Sequence, residues 1–210
     1  MKKIIVSGVL TCLLAGILVS CSAPASTEKD QAPEAAGSTA AVIDNIMTRT
    51  SIRQFTDREI SKDTLDLLVK AGMAAPSARN QQPWAFVVVT EKAVLDSLNA
   101  NHPYANLKTA TAAIIVSGDV TPGDQNKVNE YWVQDCSAVS ENILLAAHAY
   151  GLGAGWGGVY PNPEIVPSVC RVLDIPENII PLNVITLGYP AENPEPKDKF
   201  KTENIHYQKW

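Results

Sequence analysis

Three apolar, β-branched runs constrain this chain more than any other feature. Trp84–Thr90 (WAFVVVT), Ala112–Ser117 (AAIIVS) and Ile179–Leu187 (IIPLNVITL) are each of strand length and apolar almost throughout. Runs of that kind read as strands buried on both faces, so each side of their sheet must be covered. Helical segments lie around them without the regular alternation of a doubly wound sheet. The expected fold class is therefore α+β, a sheet flanked by helices.

The covering helices are readable from spacing. Val42, Ile43, Ile46 and Met47 form an apolar face in a first helix beginning near Ala41 and ending between Thr48 and Thr50. Ser61 is placed to cap a second helix, with Leu65, Leu68 and Val69 inward and Gly72 near its end. Residues 91–99 predict a short third helix. Residues 134–150 predict the strongest one, because Cys136, Val139, Ile143, Leu144 and Ala147 recur three and four apart. Asn162 and Pro163 cap and open another helix through Leu173, with proline at the first helical position. Residues 74–83 read as a loop, and a polar turn containing Pro122, Gly123 and Asp124 lies between Ser117 and Glu130. Residues 191–210 carry Pro194, Pro196 and four lysines, with no helical period.

Ahead of all this, Lys2 and Lys3 precede an apolar run from Ile4 to Leu18 that ends in Leu18-Val19-Ser20-Cys21. A transmembrane helix needs about 20 apolar residues, so this run reads as a secretory signal. Leu-Val-Ser-Cys resembles the lipobox of bacterial lipoproteins, which implies lipidation of Cys21, a mature chain starting there, and a lipid anchor on the periplasmic side of the cell envelope. Residues 1–20 are thus expected to be a signal peptide, residues 21–40 a Pro-, Ala- and Ser-rich flexible tether, and residues 41–210 the folded domain.

The charge excludes one class of partner. The whole chain carries −5, and loss of Lys2 and Lys3 with the signal leaves 15 basic against 22 acidic side chains, a net of −7. A nucleic-acid binder should carry a basic face, so none is expected as partner. His102, His148 and His206 are scattered and no paired cysteine spacing occurs, so no metal site is expected. His148 reads as a satisfied core or interface histidine. Cys136 and Cys170 read as structural thiols in apolar surroundings. The glycines of 151–155 follow a helix, the wrong context for a dinucleotide turn.

Three segments remain that are rich in anion- and amide-binding groups. Arg49-Thr50-Ser51-Ile52-Arg53-Gln54-Phe55 offers two guanidiniums and two hydroxyls that could fork onto a phosphate and bond sugar-like hydroxyls. Residues 75–84 (APSARNQQPW) load a loop with side-chain amides ahead of a strand. Residues 155–161 (GWGGVYP) present a bare backbone that a flat ring system can approach.

Taken in order, R-x-S-x-R-x-F, then A-P-S-x-x-N-x-Q-P-W with its valine-rich strand, then the long helix, G-W-x-G and a late G-Y-P resemble the FMN-dependent nitroreductase family, across most of residues 41–210. The resemblance implies an α+β fold with a mixed sheet, and an intertwined homodimer with two FMN sites at its interface. It implies that Arg49, Thr50, Ser51 and Arg53 hold phosphate and ribityl from one subunit. Pro76, Ser77, Ala78 and Asn80 would come from the other, and Trp156, Gly157 and Gly158 would line the ring. Lys197 and Lys199 match a basic residue that reaches the phosphate in the family, although Lys199 stands where arginine is common and gives a point charge without a fork. Gly158 stands where one subgroup carries glutamate.

The implied activity is ping-pong hydride transfer from a reduced donor, NAD(P)H among the candidates, to nitroaromatics, quinones or similar flat acceptors. The flavin carries the chemistry, so no catalytic side chain is expected. Two other readings keep the same segments: a non-catalytic flavin-binding envelope lipoprotein, and a specialised flavin reductase or dehalogenase on the same fold.

Overall fold

The computed structural model describes residues 37–121 and 130–210. The signal, Cys21, most of the tether and the Pro122-Gly123-Asp124 turn lie outside the described residues. Among the described residues there are five α-helices, α1 (Gly37–Thr48), α2 (Lys62–Met73), α3 (Lys92–Asn101), α4 (Trp132–Ala149) and α5 (Ile165–Leu173). Four strands accompany them, β1 (Trp84–Val89), β2 (Ala112–Asp119), β3 (Gly153–Gly158) and β4 (Ile179–Gly188). The first helix begins four residues inside the segment read as tether.

The strands lie in the order β1-β2-β4-β3, and every pairing is antiparallel. The α+β class with its helix-flanked sheet stands, and among the described strands every neighbouring pair is antiparallel although β2 and β3 point the same way. The reason is one insertion: β2 and β3, joined by α4, run in the same direction, and β4 enters antiparallel between them. Val116 pairs with Asn183 and Ser117 with Pro181, so Leu182 is an extra residue in β4. That bulge turns Leu182 and Asn183 to the same side. There Asn183 Nδ2 donates to Ser140 Oγ of α4 at 2.8 Å, and Ser140 donates to the Cys136 carbonyl at 2.8 Å.

The two faces of the sheet are covered by different helices. Ala112, Ile114 and Val116 face Leu65 and Leu68 of α2 and Cys136, Val139 and Ile143 of α4. Ala113, Ile115 and Val184 face Leu95 and Leu98 of α3 and Ile165 and Val169 of α5. Side chains alternate along a strand, so an apolar run buried on both sides has to serve two cores. Truncating Leu68 or Leu98, both fully buried, to alanine would cost ~2–5 kcal/mol.

Ser61 caps α2 as expected, its Oγ accepting from Thr64 N–H at 3.2 Å. Asn162 Oδ1 accepts from the Glu164 and Ile165 N–H groups at 2.9 and 3.2 Å, so it caps the turn that leads into α5. The apolar face of α1 does not join this core. Val42, Ile43, Ile46 and Met47 stay between 48% and 69% exposed.

β3 was not expected as a strand. Four of its six residues are glycine, which weakens any strand propensity. Close approach explains three of them. A Cβ on Gly153 would lie 2.7 Å from Ile52 Cγ2, one on Gly155 would lie 3.0 Å from the Ile52 carbonyl, and one on Gly157 would lie 2.8 Å from Ala105 Cα.

Candidate functional site

Residues 49–55 leave α1, meet the start of β3 at Ile52 and reach the end of β4 at Phe55. Ile52 N–H donates to the Ala154 carbonyl at 2.9 Å, and the Ile52 side chain is buried against Gly153. With Ile52 turned inward, Arg53 is turned out to solvent. Glu192 Oε1 accepts from Arg53 N–H at 2.5 Å and Gln54 N–H at 3.1 Å. Ala191 N–H donates to the Gln54 carbonyl at 2.9 Å, and Phe55 bridges Pro190. The root of the C-terminal arm is therefore stitched to this segment.

Arg49 is largely shielded, its side chain 17% exposed, and its Nε lies 3.5 Å from Glu141 Oε1 on α4. One turn earlier, Asn45 Nδ2 donates to the Leu145 carbonyl at 3.1 Å. Together these contacts hang the end of α1 on the outer face of α4.

The loop holding Pro76, Ser77, Ala78 and Asn80 is built differently. Ala78 N–H donates to Asp135 Oδ1 at 2.9 Å, Asn80 N–H to the Ser77 carbonyl at 3.0 Å, and Gln82 N–H to Ser77 Oγ at 2.9 Å. Arg79, Asn80 and Gln82 have φ of 53°, 55° and 51°. Three non-glycine residues in the left-handed region within four positions store strain, and such strain collects where a loop serves a ligand.

Trp156 is 40% exposed, and a Cβ built on Gly158 would meet nothing within 4 Å. No packing among the described residues requires glycine at 158, so its backbone beside Trp156 is left uncovered. Gly157, by contrast, is backed by Ala105 and by His102 Nε2. Trp132 is 6% exposed and packs against Gly118 and, edge to face at 4.9 Å, against Tyr160. It is a core residue of α4.

The fold brings Arg49, Thr50, Ser51 and Arg53 together with the strand that holds Trp156, Gly157 and Gly158. It keeps Pro76, Ser77, Ala78 and Asn80 apart from them. Ala78 is held at Asp135, near the start of α4, whereas Thr48 is held at His148, near its end. Those 13 residues of helix span about 20 Å. Lys197 and Lys199 are exposed on the arm, and neither side chain forms a hydrogen bond or ion pair among the described residues. Glu192, Glu141, His148 and Asp135 are positioning contacts that spacing did not reveal. A cavity of about 790 Å³ beside β1, lined by Phe55, Ile60, Leu65, Val88 and Leu95 among others, contains none of the expected site residues.

Residues 46–110 and 99–189 match the Nitroreductase family. The chain belongs to the nitroreductase family. A relative from Methanothermobacter thermautotrophicus, provisionally named NADH dehydrogenase/NAD(P)H nitroreductase, is 47% identical over 80% of this chain and 87% of its own. A solved structure from Bacteroides thetaiotaomicron with the same provisional name superposes with a TM-score of 0.76, at 44% identity, covering 81% of this chain and 98% of that one. A provisionally named nitroreductase from Desulfovibrio desulfuricans, solved in complex with FMN, gives 0.66 at 30% identity, covering 80% of this chain and 97% of that one. Within this nitroreductase-family chain the cation- and hydroxyl-bearing segment is bonded to the bare strand through Ile52, and the strained amide loop lies apart from both.

Proposed function

We propose that this nitroreductase-family chain is an FMN-dependent oxidoreductase that works as a homodimer and accepts electrons from NAD(P)H. The observation that carries the reading is the separation of the two half-sites. One chain holds Arg49, Ser51 and Arg53 on the segment bonded to the start of β3, the strand that ends in Gly158, and holds its strained loop at Ala78 about 20 Å of helix away. A second copy can bring its loop to the first copy's cations. The exposed apolar face of α1 and the exposed Phe200, Tyr207 and Trp210 of the arm supply surface for that assembly.

Bound FMN would supply two-electron transfer between a donor and an acceptor that occupy the same face in turn. Arg49 and Ser51 would hold its phosphate and ribityl chain, with Lys197 and Lys199 adding charge from the arm. Arg53 would set positive charge where negative charge develops on reduction. The Gly158 surface and Trp156 would admit nitroaromatics, quinones or similar flat acceptors by stacking, which discriminates poorly among them. Ser77 and Asn80 of the second copy would close the ribityl side.

Cys21 lipidation would tether this dimer to the periplasmic side of a membrane. The support is the Leu-Val-Ser-Cys run and the Pro-, Ala- and Ser-rich segment that follows. Mass spectrometry of the chain purified from membranes, wild type against Cys21→Ser, tests it, and an unmodified Cys21 would refute it.

The visible absorption spectrum of the purified mature chain, followed by anaerobic NADH and NADPH, tests the activity. A flavin spectrum that bleaches on addition of either is the expected result. A flavin spectrum that persists would exclude NAD(P)H as donor, and a protein that takes up no FMN on incubation would overturn the reading.

A further inference from the structure

His102 is the one histidine of the three that is fully buried, at the junction of α3 and the short turn Pro103–Ala105. Its backbone is committed: its N–H donates to the Leu98 carbonyl at 2.7 Å and its carbonyl accepts from Ala105 N–H at 3.1 Å. Its ring is held less firmly: neither Nδ1 nor Nε2 makes a hydrogen bond of full geometry, although the Gly157 and Gly158 backbone lies close enough to favour the protonated ring. A buried polar group without a partner is costly, so a chain that keeps one at its centre needs a reason for it. Burial also holds the imidazole below its usual pKa. The ring is therefore neutral at pH 7, with one donor and one acceptor nitrogen.

What the ring faces supplies the reason. It lies against the backbone of Gly157 and Gly158, and a Cβ on Gly157 would sit 3.3 Å from Nε2. Val159 N–H donates to the Leu182 carbonyl of β4 at 2.9 Å. The Gly158 carbonyl belongs to the same trans peptide unit and so points the opposite way, off the free edge of β3. No strand among the described residues pairs with β3 on that side. His102 is the buried donor beside it.

We propose that His102 is a positioning residue for the flavin site, its Nε2–H donating to the Gly158 carbonyl and fixing the end of β3 against which the ring stacks. This rests on the FMN reading above. The Val159 N–H bond to Leu182 holds this peptide from the β4 side only, and the carbonyl on the free edge has His102 as the buried donor beside it. Ala105 presses on the back of Gly157, which leaves His102 to set the next peptide. Stacking on a planar ring then orders the carbonyl, and the donor closes on it.

The test uses the full mature chain and three substitutions. His102→Leu keeps volume and removes both nitrogens. His102→Gln sets an amide nitrogen near the place of Nε2, and His102→Asn sets one near Nδ1. FMN dissociation constants and the visible spectrum of the bound flavin are read for each, with thermal melts of the flavin-free proteins. His102→Leu and His102→Asn are expected to weaken FMN binding by about tenfold or more and to shift the bound-flavin spectrum, with His102→Gln restoring both. Wild-type affinity and spectrum in His102→Asn or His102→Leu would overturn the proposal, as would equal losses in Gln and Asn. If the leucine variant does not fold, the contrast between Gln and Asn decides. A wild-type chain that binds no FMN would defeat the flavin reading itself, a result distinct from any difference among the variants.

Discussion

Thr48 Oγ1 lies 3.0 Å from His148 Nε2 and 2.7 Å from the Asp44 carbonyl. A hydroxyl has one proton, and the Asp44 carbonyl takes it, so His148 donates from Nε2 and Thr48 accepts. This relay ties the last turn of α1 to the last turn of α4, one residue before Arg49. Thr48→Val or His148→Phe should lower stability by about 1 kcal/mol, read as a shift in the urea midpoint. Each should also weaken FMN binding several-fold, measured by flavin fluorescence. A stability loss with unchanged affinity would uncouple the relay from Arg49.

Asp135 controls the other half-site through Ala78 N–H at 2.9 Å. Asp135→Ala removes a charge-assisted bond and should cost about 2 kcal/mol, with a further loss of flavin affinity as the strained loop relaxes. Asp135→Asn keeps an acceptor oxygen and should recover most of both. Thermal melts and FMN titrations on the pair separate the bond from the charge.

The glycines of β3 divide into two kinds. Gly157→Ala drives a Cβ to 2.8 Å from Ala105 Cα and should destabilise the flavin-free chain by ~1–3 kcal/mol. Gly158→Ala meets nothing within 4 Å, so its melt should be unchanged while FMN binding weakens. Parallel melts and titrations check this, and a large drop in stability for Gly158→Ala would refute the open-surface assignment.

Cys136 and Cys170 lie on helices that cover opposite faces of the sheet, so they cannot pair within one chain. Cys136 is buried, its Sγ donates to the Ser117 carbonyl at 3.4 Å, and burial pushes its thiol up to about 12. Burial raises the Cys170 thiol as well. Iodoacetamide at pH 8 should leave Cys136 unmodified in the folded chain and label it after denaturation, which peptide mass spectrometry reads directly.

Asp119 accepts from Thr121 N–H at 2.8 Å, from Thr121 Oγ1 at 2.5 Å and from Asn178 Nδ2 at 3.2 Å. Those bonds, Thr121 first, hold its carboxyl below the usual value. The folded pKa is thus lower than the unfolded one, so the stabilisation is complete above the unfolded pKa and disappears as pH falls through the folded value. Asp119→Asn should therefore lower the urea midpoint slightly at pH 7, and the difference from wild type should vanish in acid.

The strands that were legible in the sequence are those whose side chains do the packing. β1, β2 and β4 announce themselves by β-branched residues, and α4 by a period that fills one side of the core. β3 was hidden because it is defined by what it lacks, room for a Cβ beside Ile52 and Ala105. The start of α1 was hidden for a related reason, since residues 37–40 are small and carry no period. The binding segments could be read as motifs because their side chains are chemically dense. Their holders could not, because Glu192 reaches Arg53 from 139 residues away and no local pattern marks either end. The apolar spacing of α1 was real, but it faces outward and not into the core of its own chain.

The insertion of β4 between β2 and β3 has a consequence for how the chain is made. In most sheets the last strand synthesised can be added at an edge, where a late arrival disturbs little. Here the last strand is a central one. Until residues 179–188 are available, β2 and β3 have no partner between them, and the two cores that share β4 stay open on their inner sides. A chain released or cleaved before that point would lose the middle of its sheet and not its margin. Vectorial delivery, from a ribosome or through a membrane pore, would therefore present an unfinished domain until residues 179–188 emerge and close both cores at once.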